Sequence, residues 1–451
     1  MASIAPFRGV TYNYYERQDL SNLVAPPYDV ISEEEQERYH QADPHNVIHL
    51  ILGRKKTGDS DWDNRYTRAA DSFKRWQSDG TLIRADQPCI YVTSLTYDPG
   101  EGRPRQTRWG IIAVVRIEDP ASGIILPHEK TFSAHKDDRL RLMRACDAQF
   151  SQIFGLYEDP NNTILNTCKK AINFSSQIAF DLDNDTNHRM WILQSPPLFK
   201  KVADALAGKT IFIADGHHRY ETARNYRDIM RARRGRRPVN RSFEYVTMYL
   251  SNMYDEGLTI LPSHRLIKDV PHFHSDRFLE TVGKWFNIEE FPFPPGDITT
   301  GCAALKQRLE TAGSNRTAIA FYQGDPGLCR LLSLKPGVKD EMGSDLHSSI
   351  KKLDVLILSR FLVQRGLGFS REHLDNDEIF HYESSMKKAV QQVQSGDYQM
   401  TFLLNPTKID QIKEIANNSL VMPRKSTYFY PKVLTGLVFN KLDPHEIMQT
   451  P

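Results

Sequence analysis

Hydrophobic and polar positions along the chain show helical spacing in some segments and the apolar, β-branched pattern of strands in others. Apolar residues at helical spacing predict a helix across DWDNRYTRAADSFKRWQSDGTL, and Ser32 is placed to cap an earlier helix, EEEQERYHQA. The apolar and β-branched runs CIYVTSLTY and WGIIAVVRIED are separated by a turn-rich segment, which predicts a β-hairpin. Both patterns therefore occur within the amino-terminal third of the chain.

The pattern changes to an alternation of helix and strand after about Lys268. This alternation predicts a second α/β unit, with the first region at residues 1–268 and the carboxyl-terminal α/β domain at 269–451. The predicted fold class is α+β.

Composition places the chain among ordinary globular proteins, with 451 residues, 40% hydrophobic residues and a formal net charge of +2. The near-neutral charge gives no global reason to expect nucleic acid or an anionic membrane as a partner. The amino terminus has no signal-peptide pattern and no apolar run approaches the roughly 20 residues that span a bilayer, so the predicted location is cytoplasmic. The five scattered cysteines indicate neither a disulfide framework nor a structural zinc site.

The stretch TIFIADGHHRYETARNYRDIM contains the best candidate for chemistry. Four apolar residues, 211–214, predict a buried strand, and a helix is predicted from Tyr220 onward. A strand-to-helix turn often binds a phosphate or carboxylate through backbone N–H groups, and Arg219 can bind such a group with two hydrogen bonds. The alternative is structural: Asp215 caps the helix and the two histidines satisfy buried backbone groups.

A second candidate is His128-Glu129-Lys130-Thr131, where an acid lies between a histidine and a lysine. Its neighbours can set the pKa of such an acid, which suits a general base that takes a proton from a hydroxyl. The alternative is a solvated loop. Basic residues of the following segment either line a phosphate site or form a wet surface; among them are Arg139 and Arg144.

Two further segments are open to more than one interpretation. The arginine-rich loop from Arg231 to Arg241 could bind nucleic acid, but it lacks interleaved aromatic residues, and a solvated loop is the favoured interpretation. The segment VMPRKSTYFYPKVLTGL is too rich in hydroxyls, aromatics and lysines for a plain strand. It either folds back over the site or packs at a domain interface.

Five motifs together resemble the DUF1015 family over Pro6 to Leu437. They are APPYDVIS, PHEKT, IADGHHRYETA, SNMYDEGLTILPSHRL and MPRKSTYFYPK. The DGHHR segment also resembles, more distantly, the motif of the ParB/sulfiredoxin superfamily, which includes ParB nucleotidases, sulfiredoxin and free-serine kinases. This resemblance implies a ParB/sulfiredoxin-like nucleotide-binding core in the first region.

Similarity to the free-serine kinases implies specific roles. Glu129 would be the base, His128 would orient it or the substrate, and Asp215 would take part in catalysis. Asp215, Gly216, His217, His218 and Arg219 would bind phosphate groups or position the acceptor. Apart from the resemblance, the predicted phosphate site also includes the polar and basic residues Lys130, Thr131, Arg139 and Arg144. Candidate acceptor-binding residues, each with a packing alternative, are Asn252, His264, Arg265 and Lys425.

The function that this resemblance implies is phosphoryl transfer from ATP or ADP, with Mg²⁺, to the hydroxyl of free serine or a serine-like metabolite. A homodimer is one possible assembly. One alternative is a nucleotide-binding or nucleotide-hydrolysing switch or scaffold with no metabolite acceptor. Another is a ParB-like nucleic-acid-binding protein, although no basic helix pair is evident after Met230. Sulfiredoxin chemistry is disfavoured because that enzyme needs a cysteine where this chain has His217.

Overall fold

The computed structural model describes residues 2–100, 103–129, 133–182, 186–293, 296–324, 328–344, 346–370, 373–376 and 378–450. The chain forms two compact units. The first unit comprises Met1–Pro127, Thr131–Thr259 and Pro431–Pro451, and the second comprises His128–Lys130 and Ile260–Tyr430. The division at residue 268 stays a prediction about domains. The boundary between the two compact units lies near residue 260, and the last segment, Pro431–Pro451, belongs to the first unit.

The strands of the described residues are, in chain order, β1 (Ile4–Ala5), β2 (Val10–Tyr12), β3 (Leu82–Arg84), β4 (Ile90–Tyr97), β5 (Gln106–Arg116), β6 (Ile125–Leu126), β7 (Ala148–Gln149), β8 (Ile153–Tyr157), β9 (Ile178–Leu182), β10 (Thr186–Leu193), β11 (Ile211–Asp215), β12 (Tyr245–Asn252), β13 (Thr259–Leu261), β14 (His264–Ile267), β15 (Phe286–Pro292), β16 (Ala318–Tyr322), β17 (Leu328–Leu334), β18 (Phe380–Glu383), β19 (Met400–Leu404), β20 (Tyr428–Tyr430) and β21 (Asn440–Lys441).

The α-helices of the same residues are α1 (Glu33–Ala42), α2 (Ile48–Ile51), α3 (Arg65–Ser78), α4 (Ser133–Cys146), α5 (Thr163–Ala171), α6 (Pro196–Leu206), α7 (His217–Arg234), α8 (Ser275–Val282), α9 (Ile298–Ala312), α10 (Ser348–Lys351), α11 (Asp354–Ile357), α12 (Met386–Gln394) and α13 (Ile409–Asn417). A π-helix, Leu358–Gly366, continues α11.

The structure confirms several elements that were predicted from local sequence signals. Ser32 accepts a hydrogen bond from the backbone N–H of Glu35, and the Glu35 side chain accepts one from the backbone of Ser32. This reciprocal capping box satisfies two N–H groups at the start of α1. The predicted hairpin is also present, since β4 and β5 pair antiparallel.

The first unit is built on a mixed sheet with the strand order β6-β11-β8-β12-β5-β4-β10-β9, and β1 pairs with β5. The pairs β8·β12 and β6·β11 are parallel, and β8·β11 is antiparallel. One hydrophobic core contains Ile213 of β11, Met248 of β12 and the buried face of α7, including Tyr220 and Tyr226. Burial of these side chains holds α7 against the sheet, because each large apolar side chain contributes about 1.5–3 kcal/mol when it leaves water. The start of α7 is therefore fixed relative to the end of β11.

The second unit has its own sheet, in the order β15-β17-β16-β19-β14-β18. All of these neighbouring pairs are antiparallel. Its core includes Leu266, Leu331, Leu403 and Val390 of α12. With helices packed on a largely antiparallel sheet, this unit is α+β in type, and the whole chain confirms the predicted α+β class.

Candidate functional site

The turn between β11 and α7 has the strand–turn–helix form that the sequence indicates. Helix α7 begins at His217, three residues before the predicted start at Tyr220. Its first position is preceded by Gly216, whose φ of 90° and ψ of 29° lie in the left-handed region. A glycine adopts this conformation without the steric cost that a Cβ atom brings. The turn therefore depends on Gly216.

Asp215 is part of an ion-pair cluster instead of a helix cap. The N-terminus of α7 has no side-chain cap hydrogen bond. Oδ2 of Asp215 accepts a hydrogen bond from Nη2 of Arg219 at 2.6 Å, and Oδ1 accepts one from Nζ of Lys432. The side chains of Asp215, Arg219 and Lys432 are 15%, 10% and 14% exposed. A carboxylate with these two partners is an electrostatic anchor for the turn.

The pKa of Asp215 reflects this cluster. Burial alone raises the pKa of a carboxyl group, but the positive charges of Lys432 and Arg219 outweigh burial and hold the pKa of Asp215 well below its usual range. Asp215 is therefore ionised at neutral pH, and it is poorly suited to accept a proton.

Arg219 folds back over the turn that carries it. Its Nη1 donates to the backbone carbonyl of Gln152, while its Nη2 binds Asp215. A Cβ atom added to Gly216 would lie 2.9 Å from Cζ of Arg219. Gly216 thus allows both the left-handed turn and the position of the guanidinium group.

Replacement of Gly216 by alanine tests this dependence. We expect Gly216→Ala to lower the free energy of unfolding by about 1–2 kcal/mol, because the left-handed conformation is costly for a residue with a Cβ atom. Urea unfolding measures this change. The matched control is Gly208→Ala, whose added Cβ would meet no atom within 4 Å. Equal effects of the two substitutions would contradict the assigned role of Gly216.

Arg219 and Arg139 line the same cleft of the first unit. Tyr28, Ser151 and Thr222 are also part of its lining, and its volume is about 50 Å³. A cavity needs about 10–15 Å³ for each water molecule, so this cleft has room for a group of the size of a phosphate. The structure therefore brings together two of the arginines that the sequence assigns to phosphate binding.

Arg139 reaches this cleft from α4 and is 8% exposed. Its Nη1 donates to the carbonyl of Ile51 at 2.7 Å, and its Nε donates to Oδ2 of Asp138 at 2.7 Å. The Arg139 guanidinium lies 4.0 Å from the ring centroid of Tyr28, in a cation–π contact. Arg65 is a second cation bound to Asp138. Tyr28 belongs to the APPYDVIS motif, so this contact places that motif at the cleft.

Two ion-pair clusters hold the arginines of the cleft. Asp138 binds Arg65 and Arg139, while Asp215 binds Arg219 and Lys432. The described lining of the cleft contains Arg139 and Arg219 and no aspartate or glutamate. This positive lining favours an anionic ligand.

Other residues predicted to contact nucleotide have different surroundings. His217 is buried and His218 half-buried in the first turn of α7, whereas Arg144 lies on the exposed side of α4. Lys130 and Thr131 lie outside the described residues.

Asn252 has a structural environment at the end of β12. Its Nδ2 donates to the carbonyl of Asp159 at 2.7 Å, and its Oδ1 accepts from the backbone N–H of Asp159 at 3.0 Å. The side chain is 2% exposed. These contacts favour the packing alternative for Asn252, since both ends of its amide bind the loop that follows β8.

His128 and Glu129 belong to the second unit, where Thr427 contacts both. Nε2 of His128 lies 3.1 Å from Oγ1 of Thr427, and the Thr427 hydroxyl donates to Oε1 of Glu129 at 3.4 Å. The backbone N–H of Met422 donates to the carbonyl of His128 at 2.7 Å. The MPRKST segment therefore positions the predicted base and its neighbouring histidine.

Arg265 is held by the same segment. Its Nη2 donates to the carbonyl of Lys425 at 3.0 Å, and its Nη1 donates to the carbonyl and hydroxyl of Ser263 at 2.6 and 2.7 Å. The guanidinium lies 4.4 Å from the ring centroid of Tyr382. Lys425 contributes its backbone carbonyl here, with a positive φ of 54°.

His264 is a buried neutral imidazole. Its Nδ1 accepts a hydrogen bond from the backbone N–H of Leu404 at 3.1 Å, which places the ring proton on Nε2. Burial, helped by the charge of Arg265, lowers the pKa of His264 to about 3. His264 is therefore a hydrogen-bond donor through Nε2 at neutral pH.

Sequence reasoning did not assign Lys432 or Thr427 to the site. Both occur in the MPRKSTYFYPK motif, whose density of lysines and hydroxyls was the available signal. The partners Asp215 and Lys432 are 217 positions apart, so no local pattern connects them.

Neither a metal-binding cluster nor a membrane-spanning helix is present in the described residues. They contain no group of three or more histidine, cysteine, aspartate or glutamate side chains suited to hold a metal ion. Among the same residues, no helix is long and apolar enough to cross a membrane.

The chain has distant structural neighbours among solved proteins. A free serine kinase variant in complex with ADP aligns with a TM-score of 0.35 and 10% identity, covering 73% of this chain and 91% of that one. SbnI with a C-terminal truncation, from Staphylococcus aureus, aligns with a TM-score of 0.33 and 11% identity over 72% and 85% of the two chains. A conserved hypothetical protein from Pyrococcus furiosus aligns with a TM-score of 0.33 and 11% identity over 71% and 92%.

Comparison with curated proteins finds no significant match. A family profile does match: residues 4–356 fit the family described as "Protein of unknown function (DUF1015)". This range includes the β11–α7 turn, the His128-Glu129 segment and the strand that carries His264. On the extent of this match, the chain belongs to the DUF1015 family.

Proposed function

We propose that this protein transfers a phosphoryl group from a nucleotide to the hydroxyl of a small metabolite, with free serine or a serine-like amino acid as the leading acceptor. The observation that carries the proposal is the cleft of the first unit, where Arg139 and Arg219 line a space of phosphate size. Phosphoryl transfer relies on positioning and charge neutralisation, which such a cleft supplies.

The positive lining of the cleft gives it its proposed role. An incoming phosphate would accept hydrogen bonds from Arg139 and Arg219, whose carboxylate partners Asp138 and Asp215 are not part of the lining. ATP and ADP both carry suitable phosphates.

Glu129 is proposed as the base that takes the acceptor's hydroxyl proton. Its carboxylate accepts a hydrogen bond from Thr427, which limits its orientations. His264, Arg265 and Lys425 are proposed acceptor-binding residues of the same unit. A neutral N–H of His264 and the guanidinium of Arg265 are suited to an amino acid's carboxylate.

Mg²⁺ is part of the proposal as an ion that enters with the nucleotide. The described residues form no protein cluster that would hold it alone, and both oxygens of Asp215 bind cationic side chains. Mg²⁺ commonly keeps several waters and binds through substrate phosphates, which agrees with this arrangement.

Phosphorus-31 NMR tests the proposed reaction. Purified protein is incubated with Mg²⁺, ATP or ADP, and a pool of hydroxyl-bearing amino acids and small metabolites. The expected result is a new phosphomonoester resonance, and separate incubations with each pool member would identify the acceptor. Release of inorganic phosphate alone, or no reaction, would contradict phosphoryl transfer to a metabolite.

A nucleotide-dependent switch is the second candidate function. The observation in its favour is that Lys432, from the carboxyl-terminal segment, binds Asp215 beside the start of α7. A change at the cleft could therefore alter the position of that segment. This alternative predicts nucleotide binding or hydrolysis that no amino acid stimulates.

The nucleic-acid alternative has less support from the arginine-rich loop. Arg231 forms an ion pair with buried Glu244 at 2.5 Å, and Nη1 of Arg241 donates to the carbonyl of Arg234 at 3.1 Å. The charge of Arg231 is thus compensated within the protein. Salt-dependent DNA or RNA binding that disappears when the loop is neutralised would support this alternative.

A further inference from the structure

An exposed group of arginines lies at the end of α7 in the first unit. Arg233 and Arg234 belong to the last turn of the helix, and Arg236 and Arg237 follow its C-cap, Gly235. All four arginine side chains are exposed. We call these four residues the basic cluster. Its charge is local, because the net charge of the whole chain is only +2.

The basic cluster is not neutralised by neighbouring carboxylates. The arginines of α7 that form ion pairs among the described residues are Arg219, Arg227 and Arg231. In the part of the chain that the structure describes, no arginine of the basic cluster forms an ion pair. Nη1 of Arg234 lies 3.4 Å from Nε2 of His445. The cluster therefore presents positive charge to the solvent.

The position of these arginines separates two roles. Arg233 and Arg234 lie in the last turn of α7, where positive side chains also stabilise the carbonyl end of a helix. That effect falls off within the last turn, and Arg236 and Arg237 lie beyond Gly235. Stabilisation of the helix end therefore does not account for Arg236 and Arg237.

The residues after the basic cluster are bound to the carboxyl-terminal segment of the same unit. The backbone N–H of Met448 donates to the carbonyl of Asn240 at 2.8 Å, and Nδ2 of Asn240 donates to the carbonyl of Met448 at 3.0 Å. Nη1 of Arg241 donates to the carbonyl of Arg234 at 3.1 Å. These hydrogen bonds tie both ends of the loop to the protein, so the cluster has a defined place on the surface.

Two exposed aliphatic side chains accompany the basic cluster. Val239 and Ile447 are 51% and 45% exposed. Ile447 and Arg241 are partners in an antiparallel bridge, so their side chains lie on the same side of it. The next residue, Met448, is 5% exposed. Single exposed apolar residues are common, but apolar side chains beside clustered arginines are typical of surfaces that enter the interface of an anionic membrane.

We propose that the basic cluster, together with Val239 and Ile447, is a docking surface for a membrane that contains anionic lipids. The arginines bind the lipid headgroups, and the two aliphatic side chains enter the boundary between headgroups and acyl chains. Nucleic acid is the less favoured partner, because residues 231–241 contain no aromatic side chain on which a base could stack.

This surface is separate from the cleft of Arg139 and Arg219. Arg219 lies in the first turn of α7 and the basic cluster lies at its other end, roughly 20 Å away at the rise of an α-helix. The proposal goes beyond phosphoryl transfer and does not depend on it.

Co-sedimentation of the full chain with lipid vesicles tests the surface, in the absence of nucleotide. One set of vesicles contains phosphatidylcholine alone, and the other contains about 30% phosphatidylserine as the anionic lipid. We expect binding to the anionic vesicles to be about tenfold tighter or more, and to weaken when the salt is raised from about 0.1 M to about 0.5 M. Equal binding to the two sets of vesicles, or no binding to either, would overturn the proposal.

The double variant Arg236→Gln/Arg237→Gln tests the charged part of the surface. We expect it to weaken binding to the anionic vesicles by about 10- to 30-fold, since each arginine near such a surface contributes about fivefold. The matched control is Lys55→Gln/Lys56→Gln, which removes the same charge from two other exposed residues. It should leave binding within about twofold of the original. Equal losses in the two double variants would overturn the assigned location.

Ile447→Ser tests the apolar part and distinguishes a membrane from nucleic acid. We expect it to weaken vesicle binding by about 3- to 10-fold, because the apolar contact with lipid is lost. The control is Ile288→Ser, at an isoleucine that is 36% exposed on β15, and it should leave binding unchanged. Tighter binding to duplex DNA than to the anionic vesicles, unaffected by Ile447→Ser, would overturn the membrane assignment. Because nucleotide is absent, these results are independent of the phosphorus-31 NMR experiment.

Discussion

Glu129→Gln is expected to lower the rate of phosphoryl transfer by about 10²- to 10⁴-fold, the usual contribution of a positioned general base. The amide keeps the size of the side chain and can still accept the hydrogen bond from Thr427, which lies 3.4 Å from Oε1 of Glu129. Glutamine cannot take the hydroxyl proton. The loss should therefore fall on turnover, while nucleotide affinity stays within a few-fold of the original.

The measurement is the initial rate of phosphomonoester formation by phosphorus-31 NMR, paired with nucleotide titration of the same protein. Glu290→Gln is a suitable control, because Glu290 is exposed on β15 of the same unit. Full activity in Glu129→Gln would exclude Glu129 as the base.

Asp215→Asn is expected to lower the free energy of unfolding by about 3–5 kcal/mol, which is typical when one member of a buried ion pair is removed. Asparagine would leave Arg219 and Lys432 without their shared negative charge in a site where both side chains are largely buried. Urea unfolding at neutral pH gives the value.

The effect of Asp215 should also depend on pH in a defined direction. Its folded-state pKa is lowered relative to the unfolded value, which is about 3.9 for aspartate. The carboxylate therefore contributes its full stabilisation above that unfolded value and loses it as the pH falls further. The difference in stability between the unmodified protein and Asp215→Asn should be largest at neutral pH and should narrow below about pH 4.

Asp228→Asn is the matched control on the same helix. Asp228 pairs with Arg227, but its side chain is 56% exposed. An exposed pair contributes about 0–1 kcal/mol, so this substitution should change stability little. A similar loss in both variants would contradict the anchoring role of Asp215.

Local elements were predictable where a short stretch carries the full signal. The β4–β5 hairpin and the Ser32 capping box follow from residues within a few positions of one another. The start of α7 was placed three residues late, because the polar residues after Gly216 have no apolar periodicity. The turn itself was evident from an apolar strand followed by Asp-Gly.

The directions in which the strands of the second unit pair were harder to predict from the sequence. Alternating helix and strand predicted an α/β unit, and the strands pair antiparallel instead. Period and propensity describe one strand at a time, whereas pairing depends on which strands meet.

By itself, the sequence determined the α+β class, the β11–α7 turn and the family resemblance, because these depend on patterns within single segments. Only the tertiary structure decided the partners of the charged groups. It joined Lys432 to Asp215 and brought Arg139 to the same cleft as Arg219. These contacts join residues that are distant in the chain, and burial then sets how strongly each charged group interacts with its partners. A linear pattern specifies neither proximity nor burial, so the electrostatics of the site follow from the fold.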